Sequence, residues 1–299
     1  MSDQKKRIAL LLPVRQSTAL VFDSPHSGRD YPSDFRFSCD MKDLRMAEDM
    51  YVDELFAHVT DQGAPLLKAL FPRSYIDPNR PLAANDNDNK KPVLRGLFRR
   101  VCSGINQTPI YDESTLPTKD EKRRRIKTCY KEYHENLSDI LKKTKHRFEK
   151  AIHINCHSMP STYGDGAKNR YDFILGNRDG RTSSPELIDF IKKTLEDMGY
   201  KVGVNIPGYR GAEIIRRHSD PNGNIQSVQL EINRGLYMDE RSFKKTENFN
   251  KLKRDLRTLT QKLSETATTI EHPSPHRKCR KDADVIPPHN RPKPDFKKP

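Results

Sequence analysis

Apolar residues are scarce in this sequence, and they never run on for long. They make up 33% of the 299 residues, well below the usual globular share. The longest uncharged apolar run, Ile8 to Pro13, falls far short of the roughly 20 residues that a bilayer-spanning helix needs. The opening residues, MSDQKKRIALLLPVR, hold a basic stretch without an adequate apolar region or a small-residue cleavage site, so secretion is not expected. Cysteine is sparse too. Cys39, Cys102, Cys129, Cys156 and Cys279 are scattered, odd in number, and form no C-x-x-C pair. That argues against a disulfide scaffold and a cysteine-rich zinc finger. The expectation is a reduced, soluble, cytoplasmic protein with no membrane partner.

Charge, by contrast, is plentiful. Asp, Glu, Lys and Arg make up 32% of the chain, and the net charge is +14. No nucleic-acid motif accompanies it, and the basic residues are spread among acidic ones, which argues against a nucleic-acid partner. Residues 271–299 contain seven prolines, eight basic and four acidic residues. They follow neither a helix nor a strand period, so they are predicted to be a disordered basic tail. Residues 1–270 are then the folded, catalytic part, long enough to bury a substantial core.

That part alternates between strand and helix patterns. Short apolar runs at Ala19–Phe22, Pro65–Phe71, Ala151–Cys156, Tyr171–Leu175, Tyr200–Val204 and Ser227–Ile232 are predicted strands. Helical spacing predicts helices over 42–62, 119–148, 185–199 and 240–266, with a long loop over 82–118. The pattern implies an α/β fold, a three-layer sandwich with a mostly parallel sheet between helices.

Ligands of open α/β sheets bind at the carboxyl ends of the strands. Three polar segments fall at such ends: Asp23–Gly28, Asn155–Ser158 and Gln229–Arg234. Alternation places Ile152, Ile154 and Cys156 on one face and His153, Asn155 and His157 on the other. Cys156 and His157 therefore point apart, which weakens a Cys–His nucleophile. His153 lies about 13 Å from His157 along a regular strand, too far to share a metal with it. Glu231 interrupts an apolar strand and needs either a paired arginine or a catalytic role. Asp49 and Asp53, four apart, would share a helix face. They read as a solvated acidic pair or as the carboxylate of a two-histidine metal site. Two histidines, one carboxylate and water form a known catalytic zinc set.

VFDSPHSGRDYP, SYIDPNRP, KEYHENL, CHSM, FILGNRDG and QLEINRGLYMDE occur in the order found in the N-formylglutamate amidohydrolase family, which the chain resembles from about residue 19 to 265. The resemblance implies a zinc-carboxypeptidase-like fold, a mixed, mostly parallel sheet between helices. It implies hydrolysis of N-formyl-L-glutamate to formate and L-glutamate, a late step of histidine degradation. It also implies one divalent metal, usually taken as zinc. Carried over by motif, His26, Asp49 and His157 resemble the metal ligands, and Glu231 the general base. Asn79 and Arg80 resemble the pair that holds a substrate carboxylate. Glutamate carries two carboxylates, so a second cation is expected. Arg210, Arg217 and Arg234 are candidates, with Arg217 first. Asn155 stands where the family often has aspartate, and Arg29 where carboxypeptidases have a glutamate ligand. The turn Gly208–Glu213 also departs from the family's glycine-rich form, which leaves room for a related deacylase or peptidase with another N-acyl substrate. An inactive hydrolase fold serving as a basic binding protein is a third reading.

Overall fold

The computed structural model describes residues 6–82, 96–102, 108–162 and 166–267. The expected tail at 271–299 and residues 83–95 and 103–107 of the 82–118 loop lie outside them. In chain order the strands and helices are β1 (Ile8–Leu11), β2 (Leu20–Ser24), α1 (Met41–Arg45), α2 (Val52–Leu55), β3 (Leu66–Ala69), α3 (Lys119–Arg125), α4 (Glu132–Phe148), β4 (Ala151–Met159), β5 (Phe173–Gly176), α5 (Pro185–Asp197), β6 (Val202–Val204), α6 (Glu213–His218), β7 (Ile225–Asn233), β8 (Met238–Asp239), β9 (Lys244–Lys245) and α7 (Phe249–Thr266).

Seven strands form one sheet in the order β1-β3-β2-β4-β7-β5-β6. β3, β2, β4 and β7 are parallel to one another, β1 is antiparallel to β3, and β5 is antiparallel to β7. β4 and β7 are buried along all nine of their residues, as expected of central strands covered on both faces. One face packs Phe22, Ile154, Cys156, Leu230 and Ile232 against α5 and α7. The other packs Val21 and Leu67 against Tyr133, Leu137 and Leu141 of α4. This is the expected three-layer arrangement. Among the described residues no helix is long and apolar enough to cross a membrane.

The 119–148 helix forms with one irregularity. Thr118 caps its start, accepting from the Glu121 N–H while Glu121 accepts from the Thr118 N–H, a reciprocal pair that satisfies otherwise orphaned donors. Residues Ile126–Lys131 widen into a π-helical turn. Just before it, Arg125 is buried, stacks 3.9 Å from the centre of the Tyr75 ring and donates to the Tyr75 carbonyl. A buried residue of this basic helix thus holds the segment that leads to Asp77, Asn79 and Arg80.

Three expectations are corrected. The helix over 240–266 starts only at Phe249, because residues 238–245 form the small β8–β9 hairpin. β1 is an unpredicted edge strand, paired antiparallel with β3 and buried only at Ile8. The continuous helix over 42–62 breaks into α1, α2 and a 3-10 turn at Ala57–Thr60. The break includes Tyr51, in a left-handed conformation with φ 65°. Its residues exchange helical bonds for tertiary ones: the Asp49 N–H donates to the His26 carbonyl, and Glu48 accepts from the Tyr31 hydroxyl. Asp49 and Asp53 therefore do not share a helix face. Asp53 accepts from Lys68 at 2.9 Å, while Asp49 turns to the histidines.

Candidate functional site

β2, β4 and β7 run parallel, so their carboxyl ends meet at one edge of the sheet. His26 lies just past β2, and the β4–β7 register sets His157 opposite Glu231 and Asn155 opposite Gln229. The even-numbered apolar residues of both strands fill one core, which sends His153, Asn155, His157, Gln229 and Glu231 to the opposite face.

His26, Asp49 and His157 come together there, all buried, with one donor atom from each within 4.8 Å of the others. Asp49 Oδ2 lies 3.3 Å from His26 Nδ1 and 3.0 Å from His157 Nδ1. The outer nitrogens are held by acceptors. His26 Nε2 is 2.7 Å from Asp77 Oδ1, and His157 Nε2 is 2.7 Å from Asn155 Oδ1. Asn155 is oriented in turn, because its Nδ2 donates to buried Asp23 at 2.7 Å. With a metal bound, ring protons on Nε2 would be held by these acceptors and both Nδ1 lone pairs would face the ion. His26 Nδ1 is buried without a hydrogen-bond partner. Three electron-pair donors facing one another fit a cation, and an outer acceptor on each ring is the usual support of a metal-binding histidine. Asp49 Oδ1 is occupied separately, accepting from Ser158 Oγ and Arg234 Nη2, both at 3.2 Å. Burial would raise the Asp49 carboxyl, but the two histidines and Arg73 hold it well below its ordinary value.

A cleft of about 250 Å³ opens over this cluster. Glu231 stands in its wall, accepting from Gln229 Nε2 at 2.9 Å. Burial pushes Glu231 up to about 7; His157, Arg73 and Arg234 oppose the rise and Asp49 adds to it. Four arginines, Arg73, Arg80, Arg99 and Arg234, line the same cleft. Arg73 is anchored on Asp77 through Nη2 at 2.8 Å and Nε at 3.2 Å. Arg99 lies 3.7 Å from Asp77, and burial beside Arg73 pushes it down to about 9. So much positive charge in a small volume favours an anionic ligand.

Of the residues singled out in the sequence, His26, Asp49, Asn79, Arg80, His157, Glu231 and Arg234 line this cleft. Asn79 has both ends of its amide engaged: its oxygen accepts from the Ile214 N–H, and its nitrogen lies 3.1 Å from His157 Nε2 and 3.4 Å from Gln229 Oε1. The structure does not bring Arg217 to the cleft. It is exposed near the end of α6, on the side of Tyr130 and His134. Arg210 is also off the cleft, paired with Asp179 on the surface, although its neighbours Gly208, Tyr209, Gly211 and Ala212 do line it. That turn docks tightly: a Cβ on Gly176 would come within 2.5 Å of the Tyr209 carbonyl oxygen, and Gly211 has φ 103°. Arg73, Asp77, Gln229 and Arg99 were missed. The first two sit in or beside the SYIDPNRP segment, which was the available signal; nothing local marked Arg99.

The model of the N-formylglutamate amidohydrolase family matches residues 18–238. The N-formylglutamate deformylase of Pseudomonas putida is 27% identical over 232 residues, which span 74% of this chain and 82% of that enzyme. The deformylase of Pseudomonas aeruginosa is 26% identical over 196 residues, or 65% and 72% of the two chains. The crystal structure of the N-formylglutamate amidohydrolase of Ralstonia eutropha JMP134 superposes with a TM-score of 0.79 at 36% identity, covering 87% of this chain and 97% of that one. The Agrobacterium tumefaciens gene product Atu2144, at 18% identity and a TM-score of 0.66, shares the fold.

Proposed function

The chain belongs to the N-formylglutamate amidohydrolase family, and on that premise we propose that it hydrolyses N-formyl-L-glutamate to formate and L-glutamate. The reading includes one divalent metal, zinc first, held by His26, Asp49 and His157. The observation that carries it is the convergence of the two Nδ1 atoms on Asp49 Oδ2 beside Glu231. Two histidines and one carboxylate are the protein ligands of many catalytic zinc sites. When bound, such a metal polarises a carbonyl and lowers the pKa of water.

The chain's own residues supply the rest. Glu231, poised near neutrality, takes a proton from the attacking water and passes it to the leaving amide nitrogen. Gln229 holds the Glu231 carboxylate at one oxygen. Arg73, fixed by Asp77, adds positive charge where negative charge develops on the formyl oxygen. Asn79 braces the wall at the turn that bears Arg80, and Arg80 holds one substrate carboxylate. Arg99, in place of Arg217, takes the other.

The test is metal content and formate release from N-formyl-L-glutamate on one purified sample. About one metal per chain together with formate release supports the proposal; absence of both refutes it. A panel with N-formylaspartate and N-acetylglutamate addresses the second reading, a related deacylase, which the altered 208–213 turn in the cleft wall favours. N-formylglutamate as the poorest of the three would decide for that reading.

A further inference from the structure

Cys39 and Cys102 are 63 residues apart in sequence, yet their sulfurs lie 3.4 Å apart with both thiols free. Backbone on both sides fixes this approach. Cys102 donates to the Thr108 carbonyl at 2.7 Å, and Ile110 to the Arg100 carbonyl at 2.8 Å, with a bridge between Val101 and Pro109. The second arm of that ribbon accepts from the N–H of Ser38, the residue before Cys39, at 2.8 Å. Thr108 Oγ1 also reaches Asp43 at 3.4 Å. The two cysteines thus face each other across a hydrogen-bonded seam.

They are unequal. Cys39 is partly exposed and Cys102 is buried. Contact with Cys102 draws the Cys39 thiol below its ordinary value, and the same contact raises Cys102. Cys129 and Cys156 differ: both are fully buried, and burial pushes both thiols up. Thiolates are the nucleophiles of disulfide exchange, and access decides which one attacks first.

We propose that Cys39 and Cys102 form a reversible dithiol–disulfide site that takes low-molecular-weight disulfides of the glutathione class as oxidant. The Cys39 thiolate attacks one sulfur of the oxidant, whose S–S bond breaks and releases one thiol. Cys102 then attacks Cys39 Sγ, the mixed disulfide breaks, and the second thiol leaves. The two protein thiols are oxidised, one small disulfide is reduced to two thiols, and both protein protons end on those thiols. Closing from 3.4 Å to a bond of about 2.05 Å asks for a small movement. The bond would staple the paired residues 100–102 and 108–110 to the segment at 38–43. Arg99, in the cleft wall, immediately precedes that ribbon, so the staple restrains the arm that carries it.

The test does not depend on the catalytic reading, because it is read by mass. The full chain is incubated with oxidised glutathione or with dithiothreitol, alkylated and digested. A linked Cys39–Cys102 peptide is expected, with the thiols alkylated after denaturation falling from the five of the sequence by two and returning on reduction. Cys102→Ser should stop at a mixed disulfide of glutathione on the Cys39 peptide. Amide hydrogen exchange at Cys102 and Ile110 should slow in the oxidised form. Both cysteines remaining alkylatable, Cys39 pairing with Cys279, or a link between two chains would each overturn the proposal. Unchanged exchange would overturn the restraint on the ribbon.

Discussion

Asp77→Asn perturbs what supports the donor cluster without replacing any of its three members. Asp77 is fully buried and accepts from four donors: His26 Nε2 at 2.7 Å, Arg73 Nη2 at 2.8 Å and Nε at 3.2 Å, and the Asn79 N–H at 2.9 Å. Burial would raise its carboxyl, but Arg73 and His26 hold it well below its ordinary value, so it is ionised throughout the neutral range. Asparagine keeps the shape and one acceptor oxygen. If that oxygen stays with His26 and Asn79, the new NH₂ meets Arg73, donor against donor. If the amide turns over, His26 loses its acceptor instead. Removing the acceptor behind a metal-binding histidine costs about 10–100-fold in metal affinity, or roughly 1.4–2.7 kcal/mol. Leaving the half-buried Arg73 without its nearer carboxylate costs about 1.5–3 kcal/mol of stability, a fall in Tm of roughly a few degrees for a chain of this size. Zinc affinity measured against a chromophoric chelator, with a thermal melt of the same sample, reads both. Zinc affinity within about twofold of wild type and an unchanged Tm would refute this account of Asp77.

Glu231→Gln should lower turnover by about 10²–10⁴-fold with metal content unchanged, since general-base catalysis is worth that much; a nearly full rate would remove Glu231 as the base. Glu231 must be ionised to accept a proton, so with its carboxyl raised to about 7 kcat/KM should fall as pH drops below that value, and a rate flat down to pH 5 would contradict it. Arg80→Lys should raise KM about tenfold or more, because a two-pronged contact to a carboxylate loses one charge-assisted hydrogen bond; an unaffected KM would exclude the clamp. His134 and His218 share a hydrogen bond of 2.8 Å. Burial, then Arg217, pushes His134 down to about 4, and burial, then His134 and His153, pushes His218 down to about 2. The unfolded chain binds their protons near pH 6.5, so stability is lost as pH falls from about 6.5 to 4, by about 1.4 kcal/mol per pH unit for each histidine. Denaturant titrations at pH 7 and 5 check it, and His218→Asn should flatten the slope.

Much of the site was legible because it sits on two buried strands. Period-two alternation alone sends His157 and Glu231 to the face opposite Ile154 and Leu230, and in the folded chain they stand there. Asp49 was legible as a residue but not as a position. Leu44, Leu55 and Val59 are buried as the helical pattern requires, yet the helix breaks between them at bonds to His26 and Tyr31, which only tertiary contact supplies. Arg217 lies close in sequence to the late strands β6 and β7. That segment is a helix whose basic end turns outward, so nearness in sequence to the strand ends did not become nearness in space. Arg99 and the Cys39–Cys102 contact depend on how residues 96–102 and 108–110 meet 38–43, and no local periodicity encodes that.

His157 and Glu231 are neighbours in a ladder of nine paired positions. Adjacent strands sit about 4.8 Å apart because peptide hydrogen bonds have one length. The backbone spacing of His157 and Glu231 is therefore ruled by main-chain geometry rather than by side-chain packing. A repacked core would carry both residues along as one piece. Asp49 has no such ruler. It hangs on the 46–51 loop from contacts with His26, Ser158 and Arg234. The dimensions of this centre thus have one rigid side and one adjustable side, and sequence drift, laboratory evolution or an exchange of metal would be absorbed on the loop before it reached the sheet.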